Sequence, residues 1–184
     1  MIQRMQPLVE QLMEAPGKAE IICGEIVGMS PAGIRHNRGA GAIYSSLLKY
    51  EAAIGGGYAF TDNAGFIVDL PERESFSPDV AWFAGELDER DMDFVAGPPT
   101  FAVEVRSKRD YGAPADAAIA SKIAEYFAAG TLVVWDVDLK SDRVITCYRA
   151  SEPATPIIFY ANDIANAEPA VPGWQFPVSR LLRR

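Results

Sequence analysis

Residues 101–107 read FAVEVRS and residues 77–82 read SPDVAW, and these two short stretches decide how the chain is to be read. Each is an apolar, β-rich run of strand length, and each carries one acid, Glu104 in the first and Asp79 in the second. Carboxylates are seldom taken out of water alone, because an unpaired charge in an apolar interior costs several kcal/mol or is neutralised. Acids set into strands therefore need cations or hydrogen-bond donors. If the two strands are neighbours, both carboxylates face one point, where their repulsion is relieved by a divalent metal. Oxygen-only ligation of this kind suits Mg²⁺ or Mn²⁺ and not zinc.

Working outward, residues 19–29 (AEIICGEIVGM) read as one strand with Glu25 inside it, ended by Ser30-Pro31. Glu25 is a third candidate ligand, although strand alternation could equally expose it. Between residues 35 and 53 the apolar positions Ala40, Ile43, Tyr44, Leu47 and Leu48 follow the spacing of one helix face, and Gly55-Gly56-Gly57 stops the helix. Residues 58–60 (YAF) and 64–70 (AGFIVDL) are two short β runs, which Thr61-Asp62-Asn63 would join as a hairpin. A polar stretch, PERESFSP, separates them from the strand carrying Asp79. An acidic loop over residues 85–99 ends in Gly97-Pro98-Pro99. Helical spacing returns over residues 115–129 through Ile119, Ile123, Tyr126 and Phe127, with Gly130 as its stop. After it, TLVVWDVD and RVITCYRA form a hairpin across LKSD, and PIIFYA adds a further strand.

The mixed order of helices and strands predicts an α/β chain built around one central sheet. At 184 residues it is read as a single domain. Residues 1–18 form a peripheral helical segment confined by Pro7 and Ala15-Pro16-Gly17, residues 19–150 the core, and residues 151–184 a strand and an irregular tail that packs Trp174 and Phe176. No apolar run approaches the roughly 18 to 20 residues that span a bilayer, and no leader pattern is visible, so a cytoplasmic location is expected. The two cysteines, Cys23 and Cys147, lie far apart without a CxxC partner, which argues against a zinc site or a disulfide framework. A net charge of −8 speaks against a general nucleic-acid binder, which would carry a basic footprint. Divalent cations gathered by several carboxylates would offset part of that charge.

A cation is also wanted beside the paired acids. On the second helix Lys122 falls roughly 40° from Tyr126 and about 60° from Ile119 at 100° per residue, which puts it at the edge of the buried face. Its stem can follow the core surface while its ammonium reaches a polar pocket. His36, the lone histidine, stands at the start of the first helix and is read first as a helix-start hydrogen bond. Asp136 and Asp138 are read as structural strand-end acids, and Tyr126 and Trp135 as core.

Taken in order, GEIVGMSPAG followed by His36, then SPDVAW, VEVRS, and KIAEYFAAG before VVWDVD resemble the Uma2 family (DUF820), a bacterial group of restriction-endonuclease-like proteins in the PD-(D/E)XK superfamily. The likeness runs over about residues 20 to 150 and is far more specific than any one motif. It implies a central mixed sheet flanked by helices, a metal-dependent endonuclease cutting DNA, Asp79 and Glu104 as metal ligands with Glu25 assisting, and the lysine moved from strand to helix as Lys122. One departure stands out, because the superfamily's usual strand lysine is here Arg106. Arg106 could replace, crowd or assist Lys122, and Lys108 shares its parity. A catalytically idle nuclease fold serving as an interaction module is the alternative function. A homodimer, the commonest oligomer, would offer one cut per strand.

Overall fold

The computed structural model describes residues 2–88 and 90–182, with side chains from residue 6 onward. In chain order, α1 (Ile2–Met13) precedes β1 (Ala19–Ile22) and β2 (Glu25–Gly28), and α2 (Ile34–Ile54) follows. Next come β3 (Tyr58–Phe60), β4 (Phe66–Leu70), β5 (Arg73–Phe76), β6 (Val80–Phe83), β7 (Val95–Ala96) and β8 (Phe101–Val105). Then α3 (Ala113–Ala129) leads into β9 (Val133–Val137), β10 (Ile145–Arg149), β11 (Ile157–Phe159), β12 (Ile164–Asn166), β13 (Gln175–Pro177) and a 3₁₀ turn, Val178–Leu181. Among these residues no helix is long and apolar enough to cross a membrane.

A six-stranded sheet in the order β11-β10-β9-β8-β6-β3 forms the centre, with β8 and β9 parallel and its other pairs antiparallel. Its central strands are apolar on both faces. On one face Val80, Trp82, Val103, Val105 and Trp135 meet Ala40, Ile43 and Leu47 of α2, which are the stripe positions read from the sequence. On the other, Ala81, Ala102 and Val134 meet Ile123 and Tyr126 of α3 together with Phe66 and Phe76 of a second sheet. Ile43 and Leu47 are fully buried, each contributing about 1.5–3 kcal/mol of transfer free energy.

The second sheet, ordered β2-β1-β5-β4-β7, was not expected as a separate layer. Residues 19–29 are two strands and not one, paired Ile22↔Glu25 across Cys23-Gly24. Both turn residues take positive φ, 53° and 74°, the left-handed pair that a two-residue hairpin turn requires. β3 and β4 also do not pair with each other. β3 joins the central sheet against β6, and the chain then crosses at residues 61–65 to place β4 in the second sheet. The polar stretch 71–78 supplies β5, whose Arg73 and Ser75 are buried because both find internal partners. The first helix likewise runs through Pro7, giving up one backbone hydrogen bond there.

Residues beyond 160 are part of the centre. Trp174 stacks on Trp135 at 5.3 Å and lies 5.9 Å from Phe101, and Phe176, Val178 and Leu181 complete the same cluster. The expected irregular tail is thus a two-stranded ribbon, β12 with β13, whose apolar side chains close the core.

Candidate active site

β6 and β8 are hydrogen-bonded neighbours, with Val80 opposite Val103. Asp79 continues that register one residue beyond β6, donating its backbone N–H to the Val103 carbonyl at 3.1 Å. Alternation puts Asp79 and Glu104 on the α3 side of the sheet with Ala81 and Ala102. One turn of α3 brings Lys122 and Tyr126 over them. Asp79, Glu104 and Lys122, with Lys18, His36 and Asp62, line a cavity of about 670 Å³ at the strand ends, and Tyr126 lies buried behind it. A larger cavity of about 770 Å³ between α1, β4 and the end of α3 holds none of them.

Asp79 is buried and heavily bonded. Its Oδ2 accepts from the Val105 backbone N–H at 2.8 Å and lies 2.9 Å from His36 Nε2, while Oδ1 accepts from Lys18 Nζ at 2.6 Å. Burial alone would raise this carboxyl, yet the His36 hydrogen bond and the Lys18 ammonium hold it down at about 2. For His36 the same hydrogen bond outweighs burial and raises its pKa.

Glu104 is held differently. The Tyr126 hydroxyl donates to Oε1 at 2.7 Å and Lys122 Nζ lies 2.9 Å from the same atom. Among the described residues no hydrogen bond reaches Oε2. Burial pushes the Glu104 carboxyl up, Lys122 pulls it back, and the charges of Asp79 and Glu20 push it up again. Tyr126 is itself fixed by a stacked contact with Phe76, 4.0 Å between ring centres. It is therefore core, as the sequence suggests, but its hydroxyl serves the site.

Lys122 bridges two acids, Glu104 and Glu20, at 2.9 and 3.0 Å. Burial would lower its pKa, but the two carboxylates raise it well above the ordinary lysine value, so it stays an ammonium. Glu20, only 1% exposed, also accepts from the Ser77 backbone N–H at 2.8 Å and from Arg73 Nη1 at 2.6 Å, and Arg73 in turn pairs with Glu125.

Glu25, expected to assist, is not in this cluster. It stands exposed just after the Cys23-Gly24 turn, and the strand acid that does face inward is Glu20. Treating residues 19–29 as one strand hid this, and the two-residue turn ending in glycine was the signal for the break. Arg106 lines the same cavity but makes no ion pair with Asp79 or Glu104 among the described residues. It forks onto Asp136 at 2.7 and 2.9 Å and reaches Asp116 at 2.7 Å, which agrees with a structural role for Asp136. Lys108 is exposed and does not line the cavity. His36 binds Asp79 instead of capping its helix. Lys18, Asp62, Glu20 and Arg73 were not anticipated.

The arrangement suits a hard divalent cation. Across the linked groups Asp62, Asp79, Glu20, Glu104 and Glu125 oppose Lys18, Lys122 and Arg73, leaving two negative charges in surplus when Glu104 is ionised and His36 is neutral. That equals the charge of one such ion. Among the described residues no three His, Cys, Asp or Glu side chains converge on one point. A cation held by Asp79 and the open Oε2 of Glu104 would complete its shell with water, as Mg²⁺ commonly does.

The depressed Asp79 pKa has a sign that can be checked. A carboxyl held at about 2 against an ordinary 3.8 stabilises the fold fully above pH 3.8, and that contribution drains away as pH falls toward 2. It is on the order of 2 kcal/mol at neutral pH. Denaturant midpoints of wild type and Asp79→Asn, compared from pH 5 down to pH 2, should show a steeper acid loss in the wild type. Parallel curves would contradict the assignment.

The fold is the restriction-endonuclease-like α/β core, with an acid pair on adjacent strands and a lysine on the covering helix. By family the chain belongs to Uma2, described as "Putative restriction endonuclease", whose profile matches residues 5–179. A crystal structure from Anabaena variabilis ATCC 29413, described as a putative nuclease belonging to DUF820, superimposes with a TM-score of 0.72. That match covers 94% of this chain and 96% of the other at 15% identity, a likeness of fold. Among curated proteins none matches.

Proposed function

We propose that the protein is a metal-dependent endonuclease that hydrolyses DNA phosphodiester bonds at the Asp79–Glu104–Lys122 cavity. The observation carrying this reading is that two strand acids 25 residues apart and a helix lysine meet at one cavity, with charge left over for a divalent ion. Asp79 and Glu104 would hold Mg²⁺ or Mn²⁺. The chemistry a bound ion supplies is a more acidic water and neutralised charge on the phosphoryl oxygens.

The chain's own groups do the rest. Tyr126 and Lys122 fix Glu104 through Oε1, leaving Oε2 without a hydrogen bond among the described residues. As a permanent ammonium Lys122 is a charge and hydrogen-bond donor, not a base, and it offsets charge that builds on the phosphate as water attacks and the P–O bond breaks. Glu20 and Arg73 hold Lys122 in position from behind.

Titration calorimetry with Mn²⁺ on wild type, Asp79→Ala and Glu104→Ala, followed by plasmid cleavage on the same samples, tests this. Binding in the wild type alone, with cleavage lost in both variants by about 10²-fold or more, is the expected result. Binding with no cleavage by any sample would favour an interaction module on a nuclease fold, a reading that the charge of −8 supports. No binding by the wild type at millimolar metal would remove the metal centre.

A further inference from the structure

The ammonium of Lys18 sits where a metal would have to bind. We propose that Lys18 is a built-in counter-cation for Asp79, and that loading the site with a divalent ion is an exchange in which Lys18 releases Asp79 and keeps Asp62. This rests on the reading of Asp79 and Glu104 as metal ligands.

Three observations carry it. First, a carboxylate offers about two lone-pair sites per oxygen. On Asp79 Oδ2 both are taken, by the Val105 N–H and by His36, so an incoming ion must use Oδ1, where Lys18 stands at 2.6 Å. A divalent ion bound to the other side of Oδ1 would lie within a few ångströms of that ammonium, and in a partly buried site such like charges repel strongly. Second, Lys18 already has a second acceptor. Its Nζ is 2.7 Å from Asp62 Oδ1, on a side chain that is 32% exposed at the mouth of the cavity.

Third, it is the backbone of Lys18, not its side chain, that ties the residue into the sheet. The Lys18 carbonyl accepts from the Met29 N–H at 2.8 Å, closing the far end of the β1–β2 hairpin. The four-carbon stem can therefore swing toward Asp62 with no change in the sheet. Lys122, by contrast, pairs with Glu20, which is 1% exposed, and with Glu104, so both of its partners lie deeper than Asp62 or belong to the acid pair itself. Of the two lysines, Lys18 is thus the one that must yield and the one able to do so.

The test is metal binding itself, read by calorimetry with Mn²⁺ on the full chain without any nucleic acid. Lys18→Met keeps the stem and removes the charge, and it should tighten Mn²⁺ binding by at least about tenfold. Lys18→Gln should do the same, which guards against misfolding of the methionine variant. Lys18→Arg keeps the charge and should stay within about threefold of wild type. Equal or weaker binding by both neutral variants, with measurable binding by wild type, would overturn the exchange and leave the metal centre standing. Absence of Mn²⁺ binding in wild type and in every variant would overturn both together.

Discussion

Replacing Glu20 with alanine is expected to cost about 3 kcal/mol or more, the order found when one member of a buried ion pair is removed. In a chain of this size that lowers the melting temperature by roughly 6–12 °C. Glu20 is 1% exposed and accepts from Arg73, from the Ser77 N–H and from Lys122, so its loss leaves three donors short of a partner in the interior. Arg73 keeps Glu125 and Lys122 keeps Glu104, which sets the expected loss at the lower end of the 3–5 kcal/mol range. Glu20→Gln, which preserves shape and one acceptor, should lose less. Calorimetric melting of both variants decides the matter, and a fall of under about 3 °C for alanine would mean that the buried network is not holding the second sheet to α3.

Cleavage should be as sensitive at Lys122 as at the acid pair. Exchange for methionine is expected to reduce the rate by about 10²–10³-fold, the size of losing one preorganised donor to developing charge. Lys122→Arg should restore little of it, since a planar guanidinium does not fit the point between two carboxylates that a compact ammonium fills. Because the two acids raise the lysine pKa, no rate step due to Lys122 should be seen between pH 6 and pH 9. A methionine variant that folds and cleaves within threefold of wild type would end the case for Lys122.

Much of this could be read in the chain itself, for identifiable reasons. α2 and α3 announce themselves by an apolar stripe that survives as contacts to the central sheet. β6 and β8 are apolar because both of their faces are covered, so an acid just before the one and another within the other were conspicuous. β5 was hidden because its sequence, RESF, is mostly polar, and its Arg73 and Ser75 are buried because Glu20 and the Ile21 backbone lie across from them. The pairing of β3 was hidden because strands adjacent in sequence usually pair with each other, and here they part between two sheets.

The site divides along the same line. Asp79, Glu104 and Lys122 each showed a local anomaly of burial or helix phase. Lys18 meets Asp79 across 61 positions and Arg73 meets Glu20 across 53, and nothing in a window of sequence distinguishes such residues from solvated ones. Glu25 went the other way, because an acid in a β-rich run looks buried until the Cys23-Gly24 turn is recognised.

The stacking of Trp174 on Trp135, with Phe101 close by, carries a consequence for how the protein is born. Phe101 lies in the strand that carries Glu104, and although α2 and Trp135 reach the same cluster earlier, its packing is not complete until more than seventy further residues have been polymerised. A nascent chain stalled before Trp174 therefore has every acid of the cavity but no finished floor beneath them. The cavity's support is thus completed only with that last ribbon.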